Sequence, residues 1–439
     1  MTWPQRLLGL QQQFTQSERW SPQRMARYQF QQLSHLLKHA YERVPFYRPR
    51  LADAGYQPGK EVTAALWSRL PVLTRRELQE QRDAVICAEL PPGHGAGATD
   101  YTSGSMGMPL KVARSDFAVM YWSAITLREM LWHKRDFRLK LGAIRRDHEG
   151  RAFPPAGRHF PTWLSPAADV FHTGPGVVLD NRTTALEQAD WLLREEPAYL
   201  VSFPSIVEEL ARYFRERDLR PKGLKSINTM GELVSPSFRA ACREAFGVGV
   251  ADMYSASETG YLALQCPLHE HYHVQSEAVL VEVLNEAGRP CGPGEIGSVV
   301  ATPFLNYAMP LIRYAIGDHA SPGRPCSCGR NLAVLQEIHG RTRDLLVLPS
   351  GERRYAWIGM KTFAEIPDIV QHQVIQKTLS ELEVKLVVRR PLGPEGEAEI
   401  RRRLAQTMGE QFVINFTYHD AIPRAPSGKF FAFVSELPR

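Results

Sequence analysis

Between residues 198 and 257 short apolar runs alternate with amphipathic stretches, and this alternation constrains the fold more than any other feature of the chain. AYLVSF (198–203) reads as a buried strand and PSIVEELARYFRER (204–217) as a helix with one apolar face. SINTM (226–230) is the next strand, PSFRAACREAF (236–246) the next helix, and ADMYSAS (251–257) a strand running into a loop. Strands separated by helices at this pitch predict a largely parallel sheet covered by helices. Ligands of such sheets sit in loops at the carboxyl ends of the strands. MGEL (230–233) and YSASETG (254–260) fall at those ends.

The flanking regions differ. Residues 1–90 predict helices, with RMARYQFQQLSHLLKHAYERV ended by Pro45. Near residue 280 the pattern shifts to short alternating strands, AVLVEVL, GSVVATPF and PLIRYAIGDHA, which predict a small β unit. After GRTRDLL (340–346) comes a final segment with a strand, ELEVKLVVR, and a charged helix, EGEAEIRRRLAQTMGEQF. The expected fold is α/β. A large domain over 1–343 carries mostly parallel sheets under helices plus the small β unit, and a small, mobile α+β domain spans 344–439.

The 439 residues carry 53 Lys+Arg against 47 Asp+Glu, a net +6 that suits solubility better than nucleic-acid binding. A basic run between Arg128 and Arg158 could face an anionic cofactor tail, although a solvated surface accounts for most of it. The N-terminus lacks a signal-like apolar run, and no stretch is long and apolar enough to span a membrane. Six cysteines without secretory context point to a reducing, cytoplasmic setting.

YTSGSMGMPLKV (101–112) gathers Thr102, Ser103, Gly104, Ser105 and Gly107 in one loop. It is not a Walker loop, since no Gly-Lys-Ser/Thr follows, yet hydroxyls and backbone N–H groups can cradle phosphate oxygens. Lys111 could add charge. Glu258 lies in a small polar loop after a strand, where a carboxylate could hold Mg²⁺ against phosphates. Asp318 ends an apolar strand with two oxygens available for vicinal hydroxyls. Arg341 and Asp344 mark the border of the last unit, and PRAPSGKFFAF presents Lys429 on a tight turn as a compact point charge.

In this order, YTSGSMGMPLKV, MGE, YSASETG, LIRYAIGD, GRTRD and RAPSGK resemble the adenylate-forming superfamily of acyl- and aryl-coenzyme A ligases. LLKHAYERVPFYR (36–48) and LPVLTRREL (70–78) are similar to its phenylacetate–coenzyme A ligase-like branch. The resemblance implies ATP-dependent activation of an aromatic or amino acid to an acyl-adenylate, with pyrophosphate released. Transfer to a thiol follows, on coenzyme A or a carrier-protein pantetheine. It implies that the Thr102–Gly107 loop holds the β,γ-phosphates, Glu258 ligates Mg²⁺ and Asp318 holds the ribose. Gly231, Glu232 and the Tyr254, Ser255 and Ser257 loop would border adenine and acyl group, beside Arg341. Phe203, Tyr254 and Gly260 would line the acid pocket. Lys429 would bridge α-phosphate and carboxylate, and Asp344 would be the hinge. Met106, Ile316 and Ser255 depart from the family pattern without removing a charge.

CPLHEHYHV (266–274) and CSCGR (326–330) flank the small β unit, and three thiols with one imidazole make a closed structural zinc site. The expected ligands are Cys266, Cys326, Cys328 and His271, with His269 and His273 as alternatives. Two other readings stay open: an amide synthetase passing the acyl group to an amine, and a zinc-stabilised non-catalytic protein binding nucleotide or nucleic acid. The segment CPLHEHYHVQSE carries Glu270 and Glu277 and no Lys or Arg, which argues against nucleic acid. A homodimer is a further option.

Overall fold

The computed structural model describes residues 1–101, 110–341, 345–351, 353–355, 363, 366, 368–408, 412–425 and 429–437. The phosphate-loop residues Thr102, Ser103, Gly104, Ser105, Met106 and Gly107, and the hinge residue Asp344, lie outside the described residues.

A twelve-stranded sheet dominates. Five of its strands run parallel, in the spatial order Gly176–Asp180, Leu141–Arg145, Tyr199–Ser202, Ser226–Met230, Val250–Ala256. The short strand Arg158–Phe160 closes one edge antiparallel. Beyond Val250–Ala256 the sheet continues antiparallel through Gly260–Gln265, Tyr272–Val274, Val334–Arg341, Tyr314–Pro322, Gly297–Pro303 and Val279–Leu284. The small β unit is therefore an extension of the parallel sheet.

Both faces of the parallel block are covered, which explains why its strands read as near-continuous apolar runs. On one face the helices Ala185–Glu195, Pro204–Glu216 and Pro236–Phe246 bury Leu192, Leu210, Phe214 and Phe246 against Leu200 and Ile227. On the other, the helix Asp116–Trp132 sets Leu127 and Met130 beside Leu141 and Tyr199. Local chemistry fixes the helix starts: Thr184 and Glu187 form a reciprocal cap, and the Ser235 and Ser115 hydroxyls accept from the N–H groups of Phe238 and Ala118.

The N-terminal helices Trp3–Ser17 and Pro22–Arg43 add Leu7, Phe14, Leu33, Leu36 and Leu37 to the largest core cluster. Their docking accounts for part of the basic run. Arg128 is buried, ion-paired with Glu277 at 3.0 Å and Glu18 at 3.2 Å, and sandwiched by the rings of Phe14 and Trp132. Arg135 is buried against Glu129, Arg138 pairs with Asp136, and Arg158 with Glu149. Much of this run is thus neutralised within the molecule. Trp163 packs in a core cluster with Tyr199 and Phe137.

The C-terminal segment forms a separate four-stranded sheet, ordered Val413–Tyr418, Glu381–Val388, Ile369–Gln376, Phe433–Ser435. The helix Gly393–Met408 covers it, with Leu382, Val384, Leu386, Ile400 and Leu404 in its own core. Among the described residues, no helix is long and apolar enough to cross a membrane.

Candidate functional site

The carboxyl ends of Ser226–Met230 and Val250–Ala256 open into a cavity of about 280 Å³. Gly231, Glu232, Tyr254, Ser255, Asp318 and Arg341 line it from the large sheet, and Lys429 and Phe430 from the C-terminal segment. Gly231 and Lys429, 198 positions apart in sequence, thus share one space.

Asp318 and Arg341 sit directly opposite each other on the antiparallel strands Tyr314–Pro322 and Val334–Arg341. Their side chains form an ion pair of 3.1 Å, as cross-strand neighbours of opposite charge do. Tyr254 donates its hydroxyl to the other Asp318 oxygen at 2.8 Å. Burial and the Asp318 charge together push the Tyr254 phenol well above its ordinary range, so it remains a donor. Both Asp318 oxygens are thus engaged, Oδ1 by the Arg341 guanidinium and Oδ2 by the Tyr254 hydroxyl, and the carboxylate is held in one orientation at the cavity wall.

Gly231 shows why glycine is needed where the strand ends. Its φ is +77°, and a Cβ placed there would lie 3.0 Å from Lys429 Cε and 3.2 Å from Nζ. A Phe203 ring atom lies 3.5 Å from the same point. The lysine therefore reaches over the strand end with its ammonium against bare backbone.

Glu232 has a different immediate environment. Its carboxylate accepts from the Ser205 N–H at 2.8 Å, the Ser205 hydroxyl at 3.1 Å and the Phe430 N–H at 2.8 Å. Burial raises its pKa, and those donors oppose the rise. Glu258 is buried beside a second, smaller pocket shared with Arg114, Trp122, Gly260 and Tyr261. Tyr314 donates to it at 3.3 Å, and Arg75 lies 3.4 Å away. The Ser257 carbonyl accepts from Arg114 at 2.6 Å. Lys111 is paired with Asp83 at 2.7 Å.

Two acidic residues of the cavity, Asp252 and Glu208, are not marked by any of the sequence motifs. Asp252 precedes Tyr254 by two positions, hence on the same strand face. It accepts from the Tyr272 and Thr229 hydroxyls at 2.7 and 2.8 Å, and burial raises its pKa. An acid in an otherwise apolar strand is a signal that could have found it. Glu208, on the helix Pro204–Glu216, has its carboxyl pushed up to about 7 by burial. Nothing in its local pattern marks it out.

A family profile described as the CapK C-terminal domain matches residues 358–436. The phenylacetate–coenzyme A ligase of Thermus thermophilus is 26% identical over 85% of this chain and 83% of its own length. The enzyme of the same name from Pseudomonas putida is 22% identical over 82% of this chain and 77% of its own length. Among solved structures, 2-hydroxyisobutyryl-CoA ligase in its postadenylation state, bound to an acyl-AMP, superposes with a TM-score of 0.74. It is 20% identical and aligns over 96% of this chain and 92% of that one. This chain is similar to the phenylacetate–CoA ligases and has the fold of the CoA ligases. The same 2-hydroxyisobutyryl-CoA ligase in its thioesterification state, with CoA bound, is 19% identical over the same shares of both chains but superposes with a TM-score of only 0.62.

Away from the cavity lies a cluster of soft donors. Ligand atoms of Cys266, His271, His273 and Cys326 all lie within 4.8 Å of one another. The Cys266 and Cys326 sulfurs are 3.9 Å apart, and the Cys328 sulfur is 3.3 Å from His273 Nε2. His269 instead faces the Ser327 hydroxyl. His271 Nε2 and His273 Nδ1 are buried without a hydrogen-bond partner among the described residues. Two thiols and two imidazoles at this separation fit a tetrahedral zinc site. The geometry thus brings His273 in beside the expected His271 and sets Cys328 at the edge of the group.

Proposed function

We propose that the protein uses ATP to activate a carboxylic acid as an acyl-adenylate, releasing pyrophosphate, and then passes the acyl group to the thiol of coenzyme A. The observation that carries this reading is the convergence of Lys429, Gly231, Tyr254, Asp318 and Arg341 on one cavity at the carboxyl ends of the parallel strands.

In the first step a carboxylate oxygen of the acid attacks the α-phosphorus of ATP, and the bond to the pyrophosphate oxygen breaks. Two anions must meet, so the barrier is chiefly electrostatic. The Lys429 ammonium, held over Gly231, supplies positive charge where both anions meet. Asp318 offers the remaining lone pairs of its carboxylate to the ribose hydroxyls, with Tyr254 and Arg341 fixing its orientation. The loop Thr102–Gly107 takes the β,γ-phosphates in this account. Glu258 offers Mg²⁺ a hard carboxylate oxygen, oriented by Tyr314 and Arg75, and the ion neutralises phosphate charge when bound. In the second step the thiol sulfur attacks the acyl carbon and AMP leaves with the bonding pair.

The small pocket between Trp122, Tyr261 and Gly260 supports an aromatic or small apolar acid. The division into units at residues 343 and 344, the hinge at Asp344 and a structural zinc held by Cys266, Cys326 and the His271–His273 pair, with Cys328 adjacent, belong to the same proposal. The test is to incubate the purified protein with ATP, Mg²⁺, coenzyme A and a panel containing phenylacetate, benzoate, 2-hydroxyisobutyrate and amino acids. Acid-dependent AMP together with a thioester supports the reading. AMP with no thioester, but with an amide when amines are supplied, favours the amide synthetase. No acid-dependent AMP across the panel opposes both.

A further inference from the structure

The helix Pro204–Glu216 meets the C-terminal unit through charged contacts instead of an apolar seam. Arg424 bonds the Ser205 hydroxyl and lies 2.8 Å from Glu209 Oε1. The same Glu209 oxygen accepts from Gln371 at 3.3 Å, and Gln371 in turn accepts from the Ile422 N–H at 3.1 Å. Arg212 donates to the Val370 carbonyl, and Arg389 pairs with Glu216. Beside them the Glu232 carboxylate takes both the Ser205 and the Phe430 N–H groups.

These contacts converge on the segment that carries Lys429. Arg424 is tied to Lys429 through its neighbour, since the Ala425 N–H donates to the Lys429 carbonyl at 2.9 Å. Phe430, bonded to Glu232, is the next residue, and the Phe431 carbonyl accepts from Gln373 at 2.8 Å. Arg424 and Phe430, which precede and follow Lys429 in sequence, are thus both bonded to the large unit. A seam of half-buried ion pairs can separate and rehydrate at low cost, whereas an apolar seam could not.

We infer that the Arg424–Glu209 pair and the Glu232–Phe430 contact form a reversible latch that docks Lys429 for adenylate formation, with Arg424 acting as a positioning residue. Arg424 does not reach the reacting atoms. Its effect falls on the fraction of molecules in which Lys429 is delivered, so it supports the first half-reaction and not the second. The inference rests on the proposed function only for the role it gives Lys429.

The docking itself can be read without catalysis. Hydrogen–deuterium exchange of the full chain, alone and with MgATP, reports the Phe430 amide and its neighbours. Arg424→Gln and Glu209→Gln should each speed exchange over residues 420–425 and 429–433 about fivefold. The paired reversal Glu209→Arg with Arg424→Glu should restore protection. The strand Glu381–Val388 lies outside the seam and reports whether the small sheet stays folded. If Arg424→Gln unfolds it, Glu209→Gln, on the other unit, still carries the test. Unchanged exchange in the folded single variants, or no recovery in the reversal, overturns the latch. With an acid that the protein activates, Arg424→Gln should slow acid-dependent ATP–pyrophosphate exchange about tenfold and leave thioester formation from supplied acyl-adenylate within twofold. Equal loss in both half-reactions also overturns it. A protein that activates no acid yet shows the exchange pattern refutes the reading of the site and not the latch.

Discussion

Tyr254 donates its hydroxyl to Asp318 across 2.8 Å although three strands separate theirs in the sheet. The sheet must curl strongly between Val250–Ala256 and Tyr314–Pro322 for that contact to form, and the cavity is the hollow it leaves. Removing the hydroxyl leaves a buried carboxylate oxygen short of a donor, a loss of about 1–3 kcal/mol. Tyr254→Phe should therefore raise the KM for ATP roughly tenfold with a smaller change in kcat. ATP titrations of pyrophosphate release check this, and an unchanged KM would mean that the pair does not orient the nucleotide site.

Gly231→Ala tests the close approach of Lys429. The substitution places a side chain at φ +77°, which costs about 1–2 kcal/mol, and sets a methyl group 3.0 Å from Lys429 Cε. Urea unfolding should show that stability loss, and pyrophosphate release should fall more than tenfold. A folded, fully active Gly231→Ala protein contradicts the placement of the lysine.

Glu208 gives a pH dependence with a definite sign. Its carboxyl is raised from 4.5 to about 7, by burial first, with Glu209 and Glu232 reinforcing the rise and Arg212 and Arg424 opposing it. Between those pH values the unfolded chain has lost a proton that the folded chain keeps, so stability falls as pH rises. Glu208→Gln removes the effect. Its melting temperature relative to the parent should rise between pH 4.5 and about 7 and then level off. Equal differences at pH 5 and pH 8 would show that the carboxyl is not shifted.

The soft-donor cluster predicts about one equivalent of zinc in protein purified without chelator. Stripping it should lower the melting temperature and leave the KM for ATP nearly unchanged, because Cys266 and Cys326 lie away from the cavity. Parallel substitutions of His271 and His273 by Ala, each followed by metal analysis, show which imidazole binds. Retention of full zinc in both variants contradicts the geometry.

The parallel block was legible because periodicity and caps are local: SINTM, PSFRAACREAF and ADMYSAS each occupy the expected element to within a residue or two. The ordered motifs also foretold Tyr254, Asp318, Arg341 and Lys429 around one cavity. The environment of Glu232 was not legible, since its partners Ser205 and Phe430 lie 27 and 198 positions away. The choice among His269, His271 and His273 was equally hidden. Alternate residues of an extended chain face the same side, so spacing alone cannot rank them. The continuity of the small β unit with the main sheet depends on the pairing of Gly260–Gln265 with Val250–Ala256, which no single segment encodes.

The central claim, that Lys429 serves adenylate formation in this cavity, is tested most directly by acid-dependent ATP–pyrophosphate exchange in the parent protein and in Lys429→Ala. Loss of the positive charge at the reacting phosphate should slow exchange by about 10²–10³-fold. Thioester formation from supplied acyl-adenylate should change little. Exchange that survives Lys429→Ala at the parent rate would contradict the account.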